Sequence, residues 1–233
     1  MTERPAARGI AGAGAGGRPS PGFTLVEVLV TVFVLAILGT GAMILYRQSM
    51  GSYRLTTWKQ ERTRQAELFW NRLRKPLEEA TDKLERQDLA TPGNWTITRT
   101  SRPLLFNPSP TADGIFMAWQ IDHFDPASGL VTGPDTWLLT RAGREIRLTG
   151  PGVANLLVLE DVDTITIRAS QVTQRDATFE EELDGPGRIV GSILEISILL
   201  KPPPSIGNPE ITLVQNAKFK LVVESKPTAN PTY

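Results

Sequence analysis

Between Phe23 and Tyr46 the chain reads FTLVEVLVTVFVLAILGTGAMILY, an apolar run broken by one charge, Glu27. As a helix rising 1.5 Å per residue it spans about 36 Å, enough to cross a hydrocarbon layer of about 30 Å. No short soluble helix needs so long an uninterrupted apolar surface, so the run predicts a membrane anchor over 23–46. The residues before it, 1–22, are rich in Gly, Ala, Pro and Arg, have no apolar periodicity, and predict a leader without persistent structure. A secretory signal places its apolar core ahead of a small-residue cleavage site. Here Gly22 comes before the run, which predicts that the anchor is retained.

Composition narrows the chemistry of the rest. Lys plus Arg and Asp plus Glu are both 25, so no charge imbalance points to nucleic acid. There is no Cys and the single His is His123, which removes thiol nucleophiles, disulfides and multi-histidine zinc sites within the chain. A length of 233 residues accommodates one anchor and one folded domain.

Past the apolar run the period becomes helical and amphipathic. Ala66, Phe69, Trp70, Leu73, Leu77, Ala80 and Leu84 recur at three- and four-residue steps, with Arg62, Arg64, Glu67, Arg72, Arg74, Glu78, Glu79 and Asp82 between them. This predicts a helical stem over 47–90 with one buried face, kinked near Arg72 by Pro76. After Thr91-Pro92-Gly93 the period drops to two, as in Trp95 and Ile97 and later Ile165 and Ile167. Strands are predicted at Ile115–Ile121, Trp137–Arg141, Glu145–Leu148, Ile189–Leu200 and Ile211–Val223 within a β-rich head over 91–224. Ala217, Phe219, Leu221 and Val223 share one face, which the amphipathic helix is available to cover. Residues 225–233, with two prolines and no periodicity, predict a flexible tail. The fold class expected is α+β, a long N-terminal transmembrane and assembly helix followed by a β-rich globular head.

Gly22-Phe23-Thr24-Leu25-Val26-Glu27 followed by an apolar run resembles the processing site of type IV prepilins and type II secretion pseudopilins. The resemblance implies a pilin-like fold and cleavage by a membrane prepilin peptidase between Gly22 and Phe23. It also implies N-methylation of the new amine on Phe23 and an assembly role for Glu27, the acidic fifth residue of the mature chain. The residue chemistry fits. Gly22 presents no side chain to a protease and disfavours helix. Glu27 within an apolar span costs roughly 2.5–3.5 kcal/mol, so it needs a partner. The Phe23 amine, four residues away, is the natural one, in the same helix or in a neighbouring subunit. Arg4, Arg8 and Arg18 in the leader are balanced by Arg47, Arg54, Lys59, Arg62 and Arg64 beyond the run, so local charge does not set orientation. A bacterial inner-membrane, single-pass placement with the head in the periplasm follows from the resemblance instead.

Gly39 and Gly41 weaken the apolar helix locally, for close packing with neighbours or as a melted segment. Major pilins commonly carry a Pro in this region, and this chain has none between Phe23 and Arg74. The stretch ERTRQAELFWNRLRKPLEEA (61–80), the segment LLVLEDVDTITIRAS (156–170) as a strand ending a first sheet, and the pair LEISILLK and ITLVQNAKFKLVV as a final hairpin are similar to J-type minor pseudopilins. Retention of Glu27 separates the chain from the K-type subunit. The function implied is that of a minor pseudopilin helping to initiate or cap a pseudopilus in type II protein secretion, with I-type and K-type subunits, other pseudopilins and the membrane as partners. The alternative is a minor pilin of a type IV pilus or competence system, and a lectin-like or enzymatic head is a third class.

Two constellations in the head carry weaker signals. Glu180, Glu181, Glu182 and Asp184 form an acidic loop lacking the alternating D-x-D-x-G ligand pattern, so a solvated loop is expected in preference to a calcium site. Asp122, His123 and Asp125 hold acid/base groups, but no nucleophile stands nearby in a recognisable motif. No enzyme activity, cofactor or metal is expected.

Overall fold

The computed structural model describes residues 22–87, 96–100, 102–174, 188–206 and 211–233. Residues 1–21 of the leader, Trp95 and the acidic loop Glu180 to Asp184 lie outside them. The chain contacts divide it into two units, Met1–Ser49 and Met50–Tyr233. It is an α+β protein: among the described residues, a long helix, α1 (Leu25–Glu78), is followed by β strands.

Within the second unit, α1 buries Ala66, Phe69, Leu73 and Leu77, on the face that the three- and four-residue spacing predicts, and also Trp58 and Pro76. Each large apolar side chain so buried stabilises by roughly 1.5–3 kcal/mol. The helix ends two residues after Pro76, earlier than the predicted stem. Proline supplies no amide, and the following turn tightens, with Ala80 N–H donating to the Leu77 carbonyl at 3.2 Å. Leu84, which the periodicity places on the helical stripe, lies in β1 (Lys83–Gln87). The exit from the helix is tied to a strand of the head, β4 (Gly114–Asp125). Thr81 N–H donates to the Gln120 carbonyl at 3.1 Å, and Asp122 N–H donates to Thr81 Oγ1 at 2.7 Å.

Three sheets follow among the described residues. β1 pairs antiparallel with β2 (Thr96–Thr100). The largest sheet comprises β3 (Leu104–Phe106), β4, β5 (Leu130–Ala142), β6 (Glu145–Gly150), β7 (Val153–Leu159) and β11 (Ser225–Pro227), in the order β11-β3-β4-β5-β6-β7. A three-stranded antiparallel sheet joins β8 (Val162–Gln174), β9 (Arg188–Leu200) and β10 (Leu213–Leu221) in the order β10-β9-β8. β9 and β10 pair antiparallel, as in the final hairpin that the resemblance implies, with Phe219 opposite Leu194. Phe219, Leu221 and Val223 are buried in the core cluster that includes Phe69, Leu73 and Leu77, and Trp70 and Phe219 stand 6.2 Å apart by ring centroid. The helix therefore does cover that face.

Two glycines permit close packing. Trp119 and Trp137 stack at 6.1 Å, and a Cβ on Gly150 would lie 2.4 Å from the Trp137 ring. At Gly191, with φ of +158°, a Cβ would meet the Leu221 carbonyl at 2.1 Å.

Two expectations are corrected. Residues 156–170 do not form one strand: β7 ends the six-stranded sheet, β8 edges the three-stranded one, and the chain breaks between them at Glu160-Asp161, where Asp161 has φ of 61°. A left-handed residue ends strand geometry, and Asp tolerates that conformation better than most. Residues 225–233 are not a free tail. β11 runs parallel to β3, Thr228 N–H donates to the Phe106 carbonyl at 2.7 Å, and the Tyr233 hydroxyl donates to the Pro103 carbonyl. Backbone pairing needs no side-chain period, and Pro227 is tolerated because it sits on the sheet edge.

Candidate processing and assembly site

The site is the start of α1. Thr24 is its N-cap: Glu27 N–H donates to Thr24 Oγ1 at 3.2 Å, and Val28 N–H donates to the Thr24 carbonyl at 3.2 Å. Thr24-Leu25-Val26-Glu27 thus has the spacing of a capping box, in which a hydroxyl satisfies an orphan amide of the first turn and an acid stands at the third helical position. A carboxylate there also lies near the positive end of the helix dipole. Thr24 is the functional residue that sequence reasoning missed, although its T-x-x-E spacing is visible in the sequence.

Gly22 and Phe23 precede the helix and are exposed. A Cβ on Gly22 would meet no described atom within 4 Å. A bond ahead of the capped turn carries no helical hydrogen bonds that a protease would have to break. Phe23 and Glu27 are four residues apart, one turn along the start of the helix.

Every residue from Phe23 to Ser49 is exposed, Phe23 by 77% and Leu25 by 81%. The most apolar 18-residue window of α1 has a mean hydropathy of 2.6 and no buried residue. Its hydroxyls are satisfied internally: Thr31 Oγ1 donates to the Glu27 carbonyl at 2.5 Å, and Thr40 Oγ1 donates to the Ala36 carbonyl at 2.8 Å. Such back-bonding leaves few polar groups unpaired in an apolar medium. The helix passes through Gly39 and Gly41 without interruption, so the melted segment is not seen, and a Cβ at either would meet no described atom within 4 Å.

In the head, the acid/base residues singled out from the sequence serve separate ends. Asp122 is buried, accepts Leu84 N–H at 2.9 Å and faces Arg102 at 3.5 Å, joining β1 to β4. His123 pairs with Asp135 at 2.8 Å on the surface. Asp125 closes the β4–β5 turn, accepting the Ser128 hydroxyl at 2.5 Å and Ala127 N–H at 2.9 Å; the Ser128 bond, above all, holds its carboxyl below the usual range. The three do not converge. Among the described residues no cluster of three or more His, Asp or Glu has metal-binding geometry.

The polar centre of the head is one the sequence did not reveal. Asp161 Oδ2 accepts Trp58 Nε1–H at 2.7 Å and Arg62 Nε–H at 2.8 Å, while Arg144 stands 3.7 Å from Oδ1. Arg62 also reaches Glu160 at 2.5 Å, and the Asp161 carbonyl accepts Lys201 N–H at 3.0 Å. Trp58 and Arg62, four residues apart on α1, are thereby fixed at the point where the chain passes from one sheet to the other. Charge-assisted bonds with little solvent around them are the strong kind.

No curated protein and no solved structure matches the chain. Residues 18–43 match the family model described as the prokaryotic N-terminal methylation motif, which takes in Gly22, Phe23, Thr24 and Glu27 and, with the apolar helix that follows, supports a membrane-anchored protein of the type IV pilin and pseudopilin family.

Proposed function

We propose that the chain is a minor pseudopilin, a structural subunit that helps initiate or cap a periplasmic pseudopilus in type II protein secretion. Prepilin peptidase removes residues 1–22 and the Phe23 amine is methylated. Residues 23–46 then hold the subunit in the inner membrane with its head in the periplasm. The observation that carries this reading is the methylation motif on a capped helix whose apolar surface is exposed among the described residues. A cleaved Phe23 amine and the Glu27 carboxylate form a pair of opposite charges that can be satisfied between neighbouring subunits in an apolar medium. The minor, J-type assignment is supported by the retained acid, by a 233-residue length greater than that of major subunits even after loss of the leader, and by the 61–80 helix and the final hairpin.

The test separates insertion from assembly. Glu27→Val makes the anchor more apolar, so the variant inserts and is cut like the wild type, but its recovery in filaments with I-type and K-type subunits falls at least tenfold, and secretion falls with it. A Glu27→Val protein that assembles and supports secretion like the wild type would contradict the amine-pairing account. Wild-type protein recovered with pilus subunits, with secretion intact in its absence, would move the assignment to a minor pilin.

A further inference from the structure

The six-stranded sheet ends at β11, and what holds this strand differs from what holds the rest of the head. Its bonds are main-chain bonds. Leu104 N–H donates to the Glu224 carbonyl at 2.9 Å and Thr228 N–H donates to the Phe106 carbonyl at 2.7 Å, on either side of the parallel pairing of Ser225–Pro227 with Leu104–Phe106. Asn107 Nδ2–H donates to the Ala229 carbonyl at 3.1 Å, and the Tyr233 hydroxyl donates to the Pro103 carbonyl. Side chains add little: of residues 225–233 only Ser225 and Pro231 are buried. Ser225 N–H donates to Ser192 Oγ at 2.8 Å, yet the buried Ser225 hydroxyl has no partner among the described residues, which costs free energy instead of supplying it.

The packing around this segment is incomplete as well. Residues 229–232 form one wall of an open groove of about 250 Å³, and Asn107 with residues 110–115 forms the other. β3, by contrast, belongs to the core, with Leu104 and Phe106 in the same buried cluster as Phe69 and Leu73. For 225–233, an ordering cost borne by every residue is thus set against a few main-chain bonds of small net value and almost no apolar burial. Segments held in that way open locally at a fraction of the global stability, while a strand anchored by core side chains stays in place.

We propose that residues 225–233 are a strap that opens and recloses while the rest of the head stays folded, and that its release frees the edge of β3 to take the same segment, in parallel, from a second copy of this chain. The structure itself displays the occupant: the segment seated on β3 has the chemistry that the slot accepts, and its main-chain bonds are the same whether it comes from its own chain or from another. Release leaves a five-stranded sheet ending at β3, an edge whose donors and acceptors then lack partners, so reclosure or exchange follows opening. The inference stands apart from the secretion assignment, since it rests on the head alone.

The test uses the full-length chain in detergent micelles and its lack of cysteine. In the unsubstituted chain the Leu104 and Thr228 amides exchange hydrogen at least a hundredfold faster than those of the β4–β5 pair, at rates that dilute urea leaves unchanged. Leu105 and Lys226 are register partners and neither is buried, so the double variant Leu105→Cys, Lys226→Cys carries a lock across the strap. Oxidation of that lock slows the two amides at least tenfold and leaves the β4–β5 pair as it was. Chains carrying Leu105→Cys alone, mixed with chains carrying Lys226→Cys alone, form a disulfide between positions 105 and 226 of two copies on oxidation. An excess of the peptide ESKPTANPTY suppresses that cross-link, and Thr228→Pro, which removes one strap bond from the chain that keeps Leu105→Cys, raises its yield. The proposal is overturned if the Leu104 and Thr228 amides exchange no faster than the β4–β5 pair, if the 105–226 cross-link forms only within the double variant, or if the peptide leaves the cross-link between copies unchanged.

Discussion

Leu35 and Leu73 are leucines of one helix, yet the first is 61% exposed and the second fully buried. Nothing in helix geometry separates them. The distal stretch, from Trp58 to Leu77, finds its apolar partners in the sheets of its own unit, while the described residues from Phe23 to Tyr46 are all exposed. A continuous apolar surface of that size does not remain in water, so its partner is lipid, another subunit, or each in turn. One secondary-structure element therefore has two kinds of stability: the half from Trp58 to Leu77 belongs to the folding of the monomer, and the apolar half, 23–46, belongs to insertion and assembly.

The largest effect expected comes from cutting into the buried half. Phe69→Ala removes a ring that is 1% exposed and should lower head stability by about 3–5 kcal/mol in urea unfolding followed by tryptophan fluorescence. Phe33→Ala in the apolar half should leave that transition within about 0.5 kcal/mol of wild type. Equal losses from the two would break the comparison.

Asp161→Ala should come next, at about 3 kcal/mol, since it strips the partner from Arg62 and the acceptor from Trp58. Asp161→Asn should recover part of the loss, because Asn also adopts the left-handed backbone and still offers an oxygen to the indole. If Asp161→Ala unfolds at the wild-type urea concentration, the contact between helix and sheets is apolar alone and the polar lock is ornamental.

The smallest effect concerns how the head closes its own edge. Burial, more than any other cause, pushes the Tyr233 hydroxyl up to about 12 from its ordinary 10.0. Because the folded value is the higher one, this contribution is fully present below pH 10. It is lost as the pH rises from about 10 toward 12, where the unfolded chain ionises first. The C-terminal segment should loosen from β3 over that window by hydrogen exchange, and Tyr233→Phe should remove the step without altering membrane insertion. A step that persists in Tyr233→Phe would assign it to another group.

What could be read from the sequence divides along the same line. Gly22, Phe23, Glu27 and the apolar run carry their chemistry locally, in consecutive residues, as do the buried face of α1 and the alternation of β9 and β10. Asp161 was not legible. Its role depends on Trp58, Arg62 and Arg144, about a hundred or fewer residues away in sequence, and nothing in LEDVD announces a change of sheet. β11 escaped because parallel pairing with Leu104–Phe106 is a property of backbone, indifferent to the prolines and small residues of the C-terminus. The end of α1 was misplaced for a similar reason: Leu84 keeps the helical period, but Pro76 and the bonds from Thr81 and Leu84 to β4 decide the local structure.

We propose that the chain is cut between Gly22 and Phe23, ahead of its capped helix, and keeps the apolar residues 23–46. This is tested most directly by intact-mass and N-terminal fragment mass spectrometry of the protein extracted from membranes that contain a prepilin peptidase. The account predicts a chain beginning at N-methylated Phe23, with Gly22 and everything before it removed. A membrane-extracted chain that still begins at Met1, or one that begins after Tyr46 and has lost residues 23–46, would contradict it.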